Sequence, residues 1–378
     1  MRGDSMKRET YAEINLSNLA HNIYSFKQLL SSDTAITSVI KANGYGHGAV
    51  AIAKELTELG INRFAVALGQ EGVELREAGL TDSSILIFTP IDEANVAEAI
   101  RNQLTMTIFT PAQATIISQQ ARELQLPATV HLKVDTGMAR LGVRSLEEAV
   151  ATLEAIDIEW ITVEGIYTHF ANGDDLDHPE YTHQQFNAFR DIFEALEEQG
   201  YHFTFKHCCN SSATIRFPDY HLDMVRIGLG MYGYNTDSSM DGMLDIRPIM
   251  TIKSHIAHVK TVPANTPVSY GWSHYTKEST KIATLALGYA DGVPRSLSNG
   301  GQFKVRGQIV PIIGRVCMDQ LMLDVSDVEE VAVGDTVLWF GDETIGGLNL
   351  EDTCNMSNHY HYEVLCNLNQ RLPRIYHN

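Results

Sequence analysis

From about residue 34 to about residue 233 one pattern repeats along this chain: an apolar or β-branched run, a turn, then a helical pattern. The runs that read as strands are Ala35–Lys41, Phe64–Leu68, Ile85–Phe88, Met106–Phe109, Val130–Asp135, Val163–His169, Phe203–His207 and Met224–Leu229. Eight strands alternating with helices must cover both faces of a parallel sheet, and the commonest closed solution is a (β/α)8 barrel. An open doubly wound sheet is the alternative. The helices carry their own signals. Thr110, Pro111 and Gln113 spell a cap, a first-turn proline and a capping box. Ser145 and Glu148 spell a second box. Phe186, Phe189, Ile192, Phe193 and Leu196 line one face of a long helix that Gly200 stops.

The pattern changes near residue 240. Met250–Val262, Lys281–Leu287, Phe303–Ile313, Leu321–Val325 and Thr336–Phe340 are alternating or β-branched, with Gly341-Asp342 and Gly346-Gly347 as turns. A helix is expected only around Leu350–His359. The expected organisation is α/β: a barrel over 12–240, then a mostly β domain over 241–378, with residues 6–11 as a candidate addition to the second. The polar stretch Tyr234–Asp245 is the expected linker.

Composition narrows the functional classes. A net charge of −19 argues against nucleic acid and anionic membrane surfaces as partners. No apolar run approaches the ~20 residues needed to span a bilayer. Five cysteines, an odd number, suit a reducing compartment, so a cytoplasmic location is expected. The leading MRGDSMKRET has no apolar signal-peptide core, and Met6 reads as the natural start, with Met1–Ser5 an added or variable leader.

The chemistry is expected where barrels keep it, at the C-terminal ends of the strands. The first strand runs into Lys41, followed by Gly44, Tyr45, Gly46 and Gly48. A lysine at the mouth of a buried strand loses solvation, which lowers its pKa and frees the amine to attack carbonyls. A glycine-rich turn opening a helix brings backbone N–H groups to an anion. Together they suggest a Schiff-base lysine beside a phosphate, as pyridoxal phosphate requires. A plain surface lysine in a flexible turn is the alternative. The other rim groups are Lys133, Asp135 and Arg140 after the fifth strand, and Tyr167 and His169 at the sixth. His207, Asn210 and Ser211 follow the seventh, and Arg226 and Gly228 lie at the eighth. Barrels often seat phosphate in the last two of these loops, which here offer Ser211 and the backbone around Gly228 and Leu229. No His-x-His pair closes the first strand, which weighs against a metal-dependent barrel hydrolase.

Nine segments in order, VIKANGYGHG, KVDTGMARLG, YTHF, HCCNSSA, VRIGLGMYG, VSYGWSHY, LGYADGVPR, GRVCMDQ and YEVLCNLNQRLPRIY, resemble the motif set of the alanine racemases. The resemblance covers residues 8–376. It implies a pyridoxal-phosphate enzyme with a (β/α)8 barrel, a C-terminal β domain and a head-to-tail homodimer, making D-alanine for peptidoglycan. Residue by residue, it implies that Lys41 carries the cofactor. Tyr45, Ser211, Gly228, Leu229 and Tyr362 then surround its phosphate, Arg226 faces the pyridine nitrogen, and His169 lies beside it. Arg140 is similar to the residue near the substrate carboxylate, and Lys133 to a lysine that some members carbamylate and that braces that arginine. Tyr270 and Met318 match residues contributed by the partner subunit. Arg295 and Arg315 look like entry-channel residues.

Racemisation fits these residue types. A proton leaves the α-carbon on one face and arrives on the other, which calls for two acid–base groups on opposite faces. Lys41 and Tyr270 are the expected pair. Arginine is never an acceptor, so Arg226 opposite the pyridine nitrogen keeps that nitrogen unprotonated, weakens the ring as an electron sink and favours rapid reprotonation. Tyr362 and Tyr270 are expected to narrow the entrance to suit a methyl side chain.

Overall fold

The computed structural model describes residues 8–378; the leader Met1–Ser5 and the proposed start at Met6 lie outside the described residues. The chain divides into two compact units. One comprises Ala20–Gly44 and Ala49–Ile246; the other joins the N-terminal stretch up to Leu19, the short segment Tyr45–Gly48 and Arg247–Asn378.

The first unit is an eight-stranded parallel sheet. Taking Tyr11–Asn15 of the other unit as β1, its strands are β2 (Ala35–Val39), β3 (Arg63–Val66), β4 (Ser84–Ile87), β5 (Thr105–Ile108), β6 (Ala128–Lys133), β7 (Ile161–Tyr167), β8 (Phe205–His207) and β9 (Met224–Ile227). The hydrogen-bonded order is β8-β7-β6-β5-β4-β3-β2-β9, so neighbours in space are neighbours in sequence until β9 comes round to β2. Across the remaining seam, Asp223 N–H donates to the Lys206 carbonyl (3.2 Å) and Arg226 N–H to the Cys209 carbonyl (3.0 Å). The sheet is thus nearly closed, which removes its exposed edges. The observed strands begin one or two residues before most of the expected ones and end one or two earlier. Lys41, Asp135 and His169, expected as strand ends, belong to the βα loops, where the backbone leaves the ladder, whereas His207 stays the last residue of β8.

Helix α1 (Leu16–Leu29) precedes the barrel strands. They alternate with α2 (Ala49–Glu58), α3 (Gly69–Glu77), α4 (Glu93–Arg101), α5 (Pro111–Leu124), α6 (Leu146–Glu154), α7 (Pro179–Glu198) and the short α8 (Ser211–Arg216). The Thr110 capping box forms in both directions: Gln113 N–H donates to Thr110 Oγ1 and Thr110 N–H to Gln113 Oε1. At Ser145 only half forms. Glu148 N–H reaches Ser145 Oγ, but the Glu148 carboxylate accepts from Arg144 N–H, one residue earlier. Phe186, Phe189, Phe193 and Leu196 are buried along α7 as its spacing requires.

The second unit is mostly β. Strand β10 (Met250–Val262) is its spine, paired antiparallel with β1, with β13 (Thr280–Leu285) and with β17 (Thr336–Leu338). Between β10 and β13 a small hairpin joins β11 (Pro267–Val268) to β12 (His274–Tyr275). Strand β1 alternates buried and half-exposed residues and pairs parallel with β18 (Arg374–His377), which seats the chain's start in this sheet. Phe303–Ile313, expected as one strand, is a hairpin of β14 (Gln302–Val305) and β15 (Gln308–Pro311). Arg306 and Gly307 both take positive φ, the geometry of a two-residue hairpin turn. Strand β16 (Leu321–Asp324) pairs with β13, and helices α9 (Leu350–Ser357) and α10 (His361–Cys366) precede β18. Among the described residues no helix is long and apolar enough to cross a membrane.

Candidate active site at the barrel mouth

Strand β2 ends at Val39, two residues before Lys41, and Lys41 starts a turn of unusual hand. Ala42, Asn43, Gly44 and Tyr45 all take φ between +51 and +61, a full turn of left-handed helix. Each non-glycine residue there costs roughly 1–2 kcal/mol, least for asparagine, whose side chain bonds locally. Asn43 Oδ1 does so by accepting from Ala49 N–H (3.0 Å). Gly44 N–H closes the turn on the Ile40 carbonyl (2.8 Å). The glycines beyond are spacers rather than an anion cradle. A Cβ on Gly46 would collide with the Leu365 carbonyl, and one on Gly48 with the Tyr376 hydroxyl. Arg374 Nε donates to the Gly46 carbonyl (2.9 Å) and Tyr376 to the His47 carbonyl (3.0 Å), so this segment is gripped within the β-rich unit. Lys41 itself is half-buried rather than sealed off.

Four cations gather at the barrel mouth. Arg226, Lys133, Arg140 and Lys41 all act on His169, which burial and then those charges hold well below the usual histidine range. His169 is therefore neutral at pH 7. Arg226, only 2 % exposed, is held on β9 by partners with no formal negative charge. Its Nη2 donates to the carbonyls of Thr168 (2.8 Å) and Cys208 (2.9 Å) and to His169 Nδ1 (3.2 Å), and its Nη1 donates to His207 Nδ1 (2.9 Å). None of these bonds uses Nε–H.

These bonds set proton positions down the barrel interior. Arg226 can only donate, so His207 Nδ1 accepts and its proton sits on Nε2. That proton goes to His131 Nδ1 (3.0 Å), and His131 then donates from Nε2 to Glu164 (3.0 Å). Arg63, the first residue of β3, donates to the other Glu164 oxygen (3.2 Å). Burial keeps both histidines below their usual pKa, as neutral relays. Burial alone would raise the Glu164 pKa, but His131 and Arg63 outweigh it and hold the carboxyl at about 2. The Tyr167 ring stacks on His207 with centroids 4.8 Å apart, and burial pushes its hydroxyl up to about 12.

Lys133 ends β6 over the Tyr167 ring, with its amine on the Val134 carbonyl (2.7 Å). Burial, then Arg226, pull its pKa from 10.5 to about 7; Asp135 opposes this and Arg140 adds to it. Buried Asp135 accepts from Gly137 and Ala139 N–H groups (3.1 and 3.0 Å), shaping the loop that carries Arg140. Arg140 is exposed at the rim, and among the described residues no ion pair engages it. Ser211 opens α8, and its Oγ gathers the N–H groups of Gly228 (2.9 Å) and Gly230 (3.3 Å).

Within the β-rich unit, the Tyr45 and Tyr362 rings lie 5.7 Å apart, and Tyr360 stacks on Tyr362. Tyr270 sits in a one-turn 3-10 helix after Ser269, whose positive φ of 66° turns the chain outward. Ser269 Oγ bonds the Arg315 carbonyl (2.8 Å), which brings the Tyr270 turn beside the loop bearing Cys317 and Met318. Tyr270 is 72 % and Met318 53 % exposed.

The donor set suits one kind of ligand. A primary amine, a buried guanidinium that only donates and a hydroxyl with backbone N–H groups match a carbonyl, a ring nitrogen acceptor and a phosphate. Among the described residues no group of histidines, cysteines and carboxylates could hold a metal. A barrel with this mouth falls in the class of lysine-dependent, pyridoxal-phosphate barrel enzymes. The chain belongs to the alanine racemase family: residues 14–236 match the model of the alanine racemase N-terminal domain and residues 249–376 that of the C-terminal domain. It is 43 % identical to alanine racemase 1 of Oceanobacillus iheyensis over 371 residues, covering 98 % of each chain. It superposes on the solved alanine racemase of Clostridium difficile 630 with a TM-score of 0.94 at 36 % identity, over 99 % of this chain and 97 % of that one. The alanine racemase of Bacillus anthracis, solved with bound L-Ala-P, gives a TM-score of 0.93 at 32 % identity, over 99 % and 96 %.

Sequence reasoning missed Glu71, Glu164 and His131. Glu164 and His131 sit mid-strand among apolar neighbours, and a charged residue inside a buried strand is the signal that could have found them.

Proposed function

We propose that the barrel mouth racemises alanine with pyridoxal phosphate, using Lys41 and Tyr270 as the acid–base pair. The observation that carries this reading is the buried Arg226, held by backbone carbonyls and neutral histidines, with Lys133, Arg140 and Lys41 also acting on the neutral His169 beside it. Lys41 is the cofactor lysine; Ser211, Gly228 and Leu229 hold the phosphate, and Tyr45 and Tyr362 are the further phosphate residues that the family resemblance implies. Bound pyridoxal phosphate supplies the electron sink that acidifies the α-C–H of the substrate. Arg226 donates toward the ring nitrogen and keeps it unprotonated, because its own partners fix it as a donor. His169 buttresses Arg226 through Nδ1. Arg140 takes the substrate carboxylate, and Lys133 braces Arg140.

An amine near pKa 7 is about half unprotonated at neutral pH, against a trace for an ordinary lysine, and the unprotonated form is the one that adds carbon dioxide, which supports a carbamylated Lys133. A carbamate there would turn a repelling cation into a bidentate acceptor for Arg140. Lys41 Nζ removes or returns the α-proton on one face and Tyr270 Oη acts on the other. Tyr270 and Met318 are contributed by the partner subunit of a homodimer, a reading supported by their outward exposure on adjacent loops. A cytoplasmic role in making D-alanine for peptidoglycan accords with an odd number of cysteines, five, of which Cys208, Cys209 and Cys354 are buried.

The test is α-proton exchange of L- and D-alanine in deuterium oxide by the holoenzyme, with borohydride reduction and peptide mapping. Exchange of both enantiomers and label on Lys41 are expected. No exchange, or label on another lysine, overturns the reading.

A further inference from the structure

We propose that Glu71 is a positioning residue for Lys41, holding the left-handed turn that aims the lysine over the barrel mouth. The inference rests on the reading of Lys41 as the cofactor lysine. Glu71 is the third residue of α3, which follows β3, the strand beside β2. Its carboxylate works in two directions. One oxygen accepts from Ala67 N–H (2.8 Å) and Leu68 N–H (3.0 Å), an ordinary helix cap. The other crosses to the neighbouring βα loop and accepts from Ala42 N–H at 2.6 Å. Ala42 is the residue directly after Lys41 and the first of the left-handed run.

Capping explains the first oxygen only. Ala42 has no side chain to stabilise its positive φ, whereas Asn43 and Gly44 bring their own means of tolerating one. An isolated turn of this hand would relax to a right-handed or extended one, and the Lys41 side chain would leave the mouth. A charged acceptor on the N–H of the strained residue opposes that relaxation. The bond also ties the loop of Lys41 to the start of α3, a regular helix and a rigid reference. Strain stored beside the reacting amine and fixed by its surroundings is the arrangement expected where position matters more than stability.

The test uses the holoenzyme and a double-mutant cycle of Glu71→Ala and Ala42→Gly, with Glu71→Gln as a milder variant. Glycine takes the same φ without strain, so it replaces the clamp but not the helix cap. Glu71→Ala is expected to lower kcat about 100-fold with KM for alanine changed far less, since a misplaced reacting group of that kind costs about that much. The fraction of Lys41 trapped by borohydride falls with it. Ala42→Gly in the Glu71→Ala background restores about ten-fold of kcat and most of the trapping, and has a much smaller effect with Glu71 present. Glu71→Gln keeps one acceptor, folds if Glu71→Ala does not, and is expected to lose about ten-fold, again regained by Ala42→Gly. Wild-type kcat in Glu71→Ala or Glu71→Gln overturns the proposal. So does a loss that Ala42→Gly leaves untouched while the melting temperature falls, because capping α3 would then be the whole role. Borohydride label away from Lys41 in the wild type refutes the Lys41 reading itself, a failure distinct from these.

Discussion

The barrel mouth and the Tyr270 loop present their side chains in opposite ways. At the mouth, Arg226 is almost wholly buried, and its Nη1 and Nη2 donate to backbone carbonyls and neutral histidines that hold the guanidinium in place. Around Tyr270 the side chains stand in solvent: Tyr270, Trp272, Tyr275 and Met318 are all more than half exposed. A buried site is preorganised by its own fold, at the desolvation cost that lowers the pKa values of His169, His207 and Lys133. An exposed cluster of aromatic residues is typical of surfaces that gain their environment from a partner.

The largest test of that contrast is Lys41→Ala, which removes the residue proposed both to attach the cofactor and to act as one acid–base group. Exchange of alanine's α-proton should fall by about 10⁴-fold or more. Activity near wild type would place the chemistry elsewhere.

Tyr270→Phe should cost about 10²–10⁴-fold in racemisation while leaving the cofactor's visible spectrum, set by the barrel, unchanged. Mixing the inactive Lys41→Ala and Tyr270→Phe proteins under conditions that exchange subunits sharpens this. If Tyr270 serves the partner's site, hybrids regain about a quarter of wild-type activity, one intact site in half of the dimers. If Tyr270 acts within its own chain, mixing restores nothing.

Lys133 gives a pH signature confined to the barrel. In cofactor-free protein its folded pKa of about 7 lies below the free value of 10.5, so the unfolded state binds more protons between those pH values. Stability should therefore rise with pH across that window, by on the order of a few kcal/mol, and Lys133→Met should flatten the rise. Denaturant titrations from pH 7 upward measure it. Carbon-13 bicarbonate should give a carbamate resonance on wild-type protein and none on the variant.

The smallest expected effect is at Glu164. Its carboxyl, at about 2 in the folded state against 4.5 when free, contributes stability that is complete above 4.5 and lost as pH falls toward 2. Glu164→Gln should reduce the acid slope of melting temperature in that range, and an unchanged slope would mean that the His131–Glu164 pair does not act on folding.

Much of the architecture was legible because strands and helices announce themselves locally. All eight barrel strands lie within about two residues of their apolar runs, and β10 spans the same residues as its alternating pattern. The misses are places where pattern is silent about backbone direction. Phe303–Ile313 is uniformly strand-like, and only the positive φ at Arg306 and Gly307 makes it a hairpin. Strand β1 is five residues long and finds its partners, β10 and β18, more than two hundred residues away. In the site, Lys41, Arg226 and His169 stood out as polar groups at strand ends. Glu71 did not, because its contact with Ala42 joins a helix start to a loop that only the pairing of β2 with β3 makes neighbours.

The sequence alone determined the order of strands and helices, the rim on which the reactive groups fall and the family those groups resemble. These depend on side-chain type and spacing, which propensity and burial read directly. The tertiary structure decided the left-handed turn after Lys41, the tautomers of His207 and His131 and the pKa of Lys133. Each of these is set by atoms remote in sequence. A hydrogen-bond direction, a desolvation and a strained φ exist only once the barrel has brought their partners within reach.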